Sequence, residues 1–146
     1  MSQFCDTELN AGVPIRHTLT MAKKRILIID DEQKLCQMLK RRLECSGTYD
    51  VTVAYSGEEG IEAATEAPFD LVITDFKMPD VNGDQVIDVL KTLRPHLPIA
   101  LLSVYHDDST MITPKILDQA DGLIGKPIDP GQLLQTIEDL LARPTA

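Results

Sequence analysis

The chain has 146 residues, 43% of them hydrophobic, and a formal net charge of −9. This length allows one hydrophobic core but not two, so we expect a single domain. The negative charge argues against direct binding of nucleic acid, because a phosphate backbone is bound by basic patches. No apolar run could span a bilayer, and the polar first 20 residues do not read as a signal peptide, so we expect a cytoplasmic protein without a membrane span.

The first 22 residues show no hydrophobic period and contain Gly12 and Pro14. They predict a disordered N-terminal arm, the alternative being a peptide that orders on contact with a partner. The folded domain is expected over residues 23–143. Because only residues 142–146 follow the last predicted helix, we expect no output domain.

Strand-like and helix-like segments alternate along the rest of the chain. Short, strongly apolar runs are typical of strands buried in a parallel sheet, and they cover residues 25–29, 51–54, 69–74, 98–102 and 122–125. Helical periodicity covers residues 32–45, 56–67, 82–93, 107–119 and 130–141. Five consecutive βα units imply a parallel sheet with right-handed crossovers and helices on both faces.

Several residues predict where these helices begin, end or face the core. Ser56 with Glu59 three residues later forms a capping-box pattern, and Gly47 is suited to end the first helix. Pro114 interrupts the middle of the fourth predicted helix. The apolar stripes expected to face the core are Leu35, Leu39 and Leu43; Val86, Val89, Leu90 and Leu93; and Leu133, Leu134, Ile137, Leu140 and Leu141.

Polar and charged residues follow four of the apolar runs. Asp30 and Asp31 follow the first run, and Asp75 ends another. In a doubly wound sheet the carboxyl ends of parallel strands meet at the ligand-binding edge. Three carboxylates there would repel one another without a cation, which predicts a hard divalent ion such as Mg²⁺. Ser103 and Lys126 end the next two runs and add a hydroxyl and an ammonium group.

These residues also form a recognisable set of motifs. The set comprises Ile-Ile-Asp-Asp-Glu at 28–32, Asp-Phe-Lys-Met-Pro-Asp-Val-Asn-Gly at 75–83, Ser103, and Lys126-Pro127. In this order, and over roughly residues 23–142, the chain resembles the stand-alone, chemotaxis-regulator-like receiver domain of two-component response regulators. The resemblance implies a flavodoxin-like, doubly wound α/β fold. Its five-stranded parallel sheet would have the order 2-1-3-4-5, with five helices.

The resemblance assigns roles to the strand-end residues. It implies that Asp75 accepts a phosphoryl group and becomes an aspartyl phosphate. Asp30, Asp31 and Asp75 would hold Mg²⁺ together with the backbone carbonyl of Lys77. Such a domain is not a classical enzyme, although it can promote its own phosphorylation and dephosphorylation.

The remaining positions of the motif include two departures from the family pattern. Lys126, aimed by a cis peptide to Pro127, and the Ser103 hydroxyl would contact the phosphoryl oxygens. After the hydroxyl the family usually has Ala or Gly, but this chain has Val104, which we expect to restrict access. Three residues before the lysine the family usually has Tyr or Phe, but this chain has Leu123, which predicts a weak switch.

The implied phosphoryl donor is a histidine kinase or phosphotransfer protein, and the output passes to a separate, unidentified downstream protein. Two alternatives stay open: an interaction module of the same fold that does not switch, and a haloacid-dehalogenase-like phosphatase. Lys77 counts against the phosphatase, which generally has a second aspartate at that position. A flavin or dinucleotide binder is disfavoured because Asp30, Asp31 and Glu32 follow the first strand in place of a glycine-rich loop.

Basic residues and cysteines add two smaller predictions. The basic residues of the first helix are expected to form a solvated face; they are Lys34, Lys40, Arg41 and Arg42. Cys5, Cys36 and Cys45 lack metal-ligand spacing, and an odd number of cysteines fits a reducing compartment. Cys36 and Cys45 would lie on opposite sides of one helix, so they should not pair with each other.

Overall fold

The computed structural model describes residues 23–104 and 114–143. Its strands are β1 Lys24–Ile29, β2 Tyr49–Ala54, β3 Leu71–Asp75, β4 Ile99–Val104 and β5 Gly122–Lys126. Its helices are α1 Gln33–Glu44, α2 Gly57–Glu66, α3 Gly83–Leu93, α4 Pro114–Gln119 and α5 Pro130–Leu141. All strand pairs are parallel and the sheet order is β2-β1-β3-β4-β5, so the predicted fold is confirmed.

The sheet is covered on both faces, as the continuous apolar runs predict. Side chains alternate along β1, so Ile26 and Ile28 face a core closed by α1 and α5. Leu27 and Ile29 face a second core closed by α2, α3 and α4. All four side chains are fully buried. Because both faces of the sheet are covered, polar side chains can lie together only at the ends of the strands.

The predicted helix ends are confirmed in most details. Ser56 caps α2, since its hydroxyl accepts a hydrogen bond from Glu59 N at 3.1 Å. The other half of the capping box is shifted, because Glu59 accepts from Tyr55 N at 2.7 Å. Gly47 has a φ of 79° and donates its N–H to Glu44 O, as expected of a residue that ends α1.

The predicted apolar stripe of α3 is partly wrong. Val89 and Leu93 are 39% and 49% exposed, whereas Ile87 is fully buried. The helix contacts the sheet through positions spaced as i, i+3, i+4 and i+7. The first of these is a glycine, and a search for hydrophobic residues alone does not identify it as a buried position. The buried positions are Gly83, Val86, Ile87 and Leu90.

Two other helices differ slightly from expectation. In α1, Leu39 and Leu43 are buried as predicted and Leu35 is half-buried against the same core, while the fully buried Cys36 was not predicted to join them. Within the described residues, Pro114 is the first residue of α4, where a proline is tolerated. The predicted start of this helix at Asp107 and the predicted arm over 1–22 lie outside the described residues. Among the described helices, none is long and apolar enough to cross a bilayer.

Candidate functional site at the carboxyl edge of the sheet

The ends of β1, β3, β4 and β5 surround an open cavity of about 400 Å³. Strand β3 lies between β1 and β4, which brings Asp75 next to the turn that follows β1. In the register of β4 and β5, Val104 pairs with Lys126, so both face the cavity. The lining residues are Asp30, Asp31, Glu32, Asp75, Lys77, Val104 and Lys126.

Lys126 joins two of the carboxylates. Its Nζ lies 2.9 Å from Asp30 Oδ2 and 3.2 Å from Asp75 Oδ1. Burial alone would lower the pKa of Lys126, but the hydrogen bond to Asp30 and the charge of Asp75 outweigh it and raise the pKa. The side chain is therefore a permanent cation at the centre of an acidic cluster.

Asp75 is a buried acid with a shifted titration. Burial, followed by the negative charge of Asp30, raises the pKa of Asp75 to about 6, although the Lys126 ammonium opposes the shift. Most Asp75 carboxyls are still ionised at pH 7. Because the repulsion from Asp30 is only partly balanced by Lys126, an additional cation would stabilise the ionised form.

The acidic cluster fits a divalent metal ion. Ligand oxygens of Asp30, Asp31 and Asp75 all lie within 4.8 Å of one another. Ligands of an octahedral Mg²⁺ at about 2.1 Å are separated by roughly 3 to 4 Å, so only a small contraction is needed. The donors are all oxygens, which suits a hard cation. The second oxygen of Asp30 accepts from Glu32 N at 3.0 Å, which orients this carboxylate.

The remaining predicted site residues occupy different positions. Lys77 lines the cavity, and the Lys126-Pro127 peptide is cis. Ser103 is buried at the end of β4 but is not among the residues that line the cavity. Leu123 is 49% exposed on β5 and is not among the residues that line the cavity.

Sequence reasoning assigned no role in the site to three residues that contribute to it. The helical pattern places Glu32 at the start of α1, yet Glu32 also lines the cavity as a fourth acid; its position directly after the Asp pair is the available signal. Thr74 is buried, and its hydroxyl donates to Asp75 O at 3.0 Å. Gly83 approaches the acid from α3: a Cβ atom on this residue would lie 2.6 Å from Asp75 O. No local signal distinguishes Gly83 from an ordinary turn glycine.

The basic residues of α1 do not line the cavity, whereas the Cys36 thiol contacts the site by donating to Asp30 O at 3.3 Å. Lys40 is bound by Glu44 at 2.9 Å and by Val51 O at 2.6 Å, so it is not part of a free basic surface. Cys36 is a free buried thiol, which confirms that it does not pair with Cys45. Burial and the charge of Asp30 raise the pKa of Cys36 to about 12, which keeps this thiol neutral.

A parallel sheet of this order with an acidic cluster and a lysine at its carboxyl edge defines a receiver domain. Residues 26–138 match the response regulator receiver domain family, and the chain belongs to that family. It is 33% identical over 117 residues to the transcriptional regulatory protein ZraR of Salmonella typhimurium. That match covers 80% of this chain and 26% of ZraR.

Solved structures give the same assignment. A receiver domain protein from Clostridium thermocellum is 32% identical with a TM-score of 0.74, over 81% of this chain and 94% of that one. The response regulator TrrA from Thermotoga maritima, solved in complex with Mg²⁺-BeF, is 28% identical with a TM-score of 0.72. That match covers 80% of this chain and 98% of TrrA.

The curated relatives are longer proteins than this chain. The chain spans about a quarter to a half of their length, for example 26% of ZraR and 50% of YkoG from Bacillus subtilis. Both of these proteins are named as transcriptional regulatory proteins. The likeness therefore concerns the receiver domain, and the expectation that this chain does not bind nucleic acid directly stays a prediction.

Proposed function

We propose that the chain is a phosphoacceptor that receives a phosphoryl group on Asp75 from a histidine kinase or phosphotransfer protein. The observation that carries the proposal is the juxtaposition of Asp75 with Lys126 at 3.2 Å inside a cluster of three carboxylates. An isolated strand-end aspartate usually has a structural role. This one is grouped with a lysine and two acids, in a chain of the receiver family.

In this proposal Asp75 acts as the nucleophile. A carboxylate oxygen of Asp75 forms the new O–P bond while the bond between phosphorus and the donor breaks, and the electron pair leaves with the donor. With a pKa of about 6, most of the carboxylate is ionised at pH 7, so no general base is needed. Phosphoryl transfer depends mainly on positioning and on stabilisation of negative charge.

Lys126 would supply part of that charge stabilisation. Its ammonium group already contacts one Asp75 oxygen, and after transfer it would bind an oxygen of the phosphoryl group. Ser103, one residue before Val104 at the end of β4, would donate a hydrogen bond to another phosphoryl oxygen. Both side chains would thus stabilise the phosphorylated product by donating hydrogen bonds, without taking up a proton.

Asp30, Asp31, Asp75 and the carbonyl of Lys77 would hold Mg²⁺. Bound there, Mg²⁺ would offset the charge of the carboxylates and of the incoming phosphoryl group. The all-oxygen donor set and its small spread support this part of the proposal. A cytoplasmic location and a separate downstream partner complete the proposed role.

We expect the conformational response to phosphorylation to be small, even though the residues for the phosphoryl transfer itself are present. Leu123 is half exposed on β5 and has no phenolic hydroxyl to exchange between hydrogen-bond partners. Phosphorylation shifts a conformational equilibrium only through contacts that differ between the two states. A graded rearrangement is therefore expected, and the non-switching module is the limiting case. The phosphatase alternative is disfavoured because Lys77, not an acid, lines the cavity.

Incubation with a small acyl-phosphate donor tests the proposal. Intact-mass analysis should detect one added phosphoryl group when Mg²⁺ is present and much less when EDTA replaces it. Asp75→Asn should form no adduct, and Asp70→Asn is its control, because Asp70 lies just before β3, accepts from Arg25 N at 2.8 Å and does not line the cavity. An adduct that forms equally with EDTA would contradict the proposed metal requirement.

A further inference from the structure

Asp80, in the loop of residues 76–82 between β3 and α3, is bound to the first turn of α2. Its Oδ1 lies 3.2 Å from Gly57 N and its Oδ2 lies 2.9 Å from Glu58 N. These N–H groups belong to the amino end of the helix and have no partner within it. Slight burial would raise the pKa of Asp80, but these donors outweigh it and lower the pKa. The charged carboxylate thus faces the positive end of α2.

An apolar contact fastens the same two segments. Gly57 has no side chain, and a methyl group of Val81 fills the space that a Cβ atom would need. The carbonyl oxygen of Val81 lies 3.2 Å from the same position. The loop is therefore held on α2 by both charge and shape, and we call these contacts of Asp80 and Val81 the α2 clamp.

The loop in this clamp also carries Lys77, which lines the cavity. At its start the loop is fixed by Phe76, whose N–H donates to Leu102 O at 3.0 Å. The next fixed residue is Met78, whose side chain is buried. Its N–H makes only a long hydrogen bond, of 3.4 Å, to Asn82 Oδ1. The α2 clamp holds the loop between Met78 and the start of α3. It therefore limits how far the peptide after Lys77 can move.

We propose that Asp80 is a positioning residue for the metal site, acting through the loop that presents the Lys77 carbonyl. This inference rests on the proposed function, because it assumes that Mg²⁺ binds beside Asp75. Asp80 is exposed and does not line the cavity, so it acts without touching the ion. The first turn of α2 would consequently respond to occupancy of the site.

Thermodynamic linkage makes the inference quantitative. If the clamp raises Mg²⁺ affinity by some factor, Mg²⁺ must favour the closed clamp by the same factor. Removal of Asp80 is expected to weaken Mg²⁺ binding about threefold to tenfold. Loss of a group that bonds directly to a metal ligand typically lowers metal affinity by about tenfold or more, and Asp80 acts less directly. Saturating Mg²⁺ should then slow hydrogen exchange of the Gly57 and Glu58 amides by a matching factor.

The experiment measures Mg²⁺ affinity by calorimetry and amide exchange by NMR in the full chain. Asp80→Ala should lower the affinity and remove the Mg²⁺-dependent protection of both amides. Asp80→Asn keeps one acceptor oxygen and provides a second variant if Asp80→Ala folds poorly. Asp70→Ala also removes a carboxylate that accepts a backbone N–H, and it should lower thermal stability without changing Mg²⁺ affinity.

Glu58→Gln distinguishes an effect of the α2 clamp on Mg²⁺ affinity from a general effect of removing one negative charge. Only the backbone of Glu58 takes part in the clamp, so loss of its side-chain charge should leave Mg²⁺ affinity nearly unchanged. Equal affinity in wild type and both Asp80 variants would overturn the inference, as would an equal loss in Glu58→Gln. Unchanged amide exchange on addition of Mg²⁺ would also overturn it. Absence of Mg²⁺ binding in the wild type would overturn the proposed metal site itself.

Discussion

Substitution of Gly83 by alanine tests how tightly α3 is packed against the acceptor strand. The added Cβ atom would lie 2.6 Å from Asp75 O and 2.9 Å from Phe76 Cα, which are both backbone atoms. Ordinary contact begins at 3.4 Å, so the helix and the strand end must separate by about 0.8 Å. The separation would also stretch the hydrogen bond from Gly83 N to Phe76 O, which is 2.6 Å long.

The expected cost follows from these contacts. Overpacking of this kind costs about 1 to 3 kcal/mol, while the loss of glycine flexibility in the unfolded chain returns up to about 1 kcal/mol. We expect a net destabilisation of about 1 to 2 kcal/mol, or a fall in Tm of roughly 3 to 8 °C. Because the displaced carbonyl belongs to Asp75, Gly83→Ala should also slow phosphorylation from an acyl-phosphate donor.

Gly131→Ala is the matched control for this measurement. Gly131 also lies in the first turn of a helix, but its Cβ atom would meet only Asp129 Oδ1, at 3.6 Å. This variant should be as stable as the wild type or slightly more stable. The reasoning is refuted if thermal unfolding gives Gly83→Ala and Gly131→Ala the same stability.

Three further predictions concern the acidic site. In EDTA at pH 7.5, Asp75→Asn should be more stable than wild type by on the order of 1 to 3 kcal/mol. The reason is that folding raises the pKa of Asp75 from 3.8 to about 6, so the folded protein disfavours the ionised carboxylate. The difference should disappear as the pH falls through 6 towards 4, and a difference independent of pH would contradict the origin of the shift. Asp31→Ala should weaken Mg²⁺ binding in a calorimetric titration without destabilising the metal-free protein, since the side chain is exposed and its charge is repelled by its neighbours; unchanged affinity would exclude Asp31 as a ligand. Val104→Ala should accelerate both gain and loss of the phosphoryl group by less than about tenfold, because Val104 lines the cavity and an in-line displacement needs room for the donor or for water. Equal rates in the two proteins would mean that Val104 does not restrict access.

Much of the fold follows from local patterns in the sequence. Apolar runs predict strands buried on both faces, and their order along the chain predicts the parallel sheet. Ser56 and Gly47 mark helix ends because their effects depend only on adjacent backbone. Val89 and Leu93 were misassigned because the contact face of α3 is set by the close approach of a glycine, which hydrophobicity does not encode.

The site was predicted as a set of residues but not as a geometry. The strand ends brought Asp30, Asp75 and Lys126 together, since parallel strands share one edge. That Lys126 bridges two acids depends on distances between the ends of β1, β3 and β5, which no local pattern gives. The same holds for Asp80, whose partners are 22 and 23 residues away in sequence.

The central claim is that Asp75 itself carries the phosphoryl group. The most direct test phosphorylates the chain with an acyl-phosphate donor and Mg²⁺, reduces the product with borohydride and maps the peptides by mass spectrometry. Borohydride converts an aspartyl phosphate to homoserine, so we expect homoserine at position 75 and none in Asp75→Asn. Homoserine at Asp30 or Asp31, or an undiminished adduct in Asp75→Asn, would contradict the account.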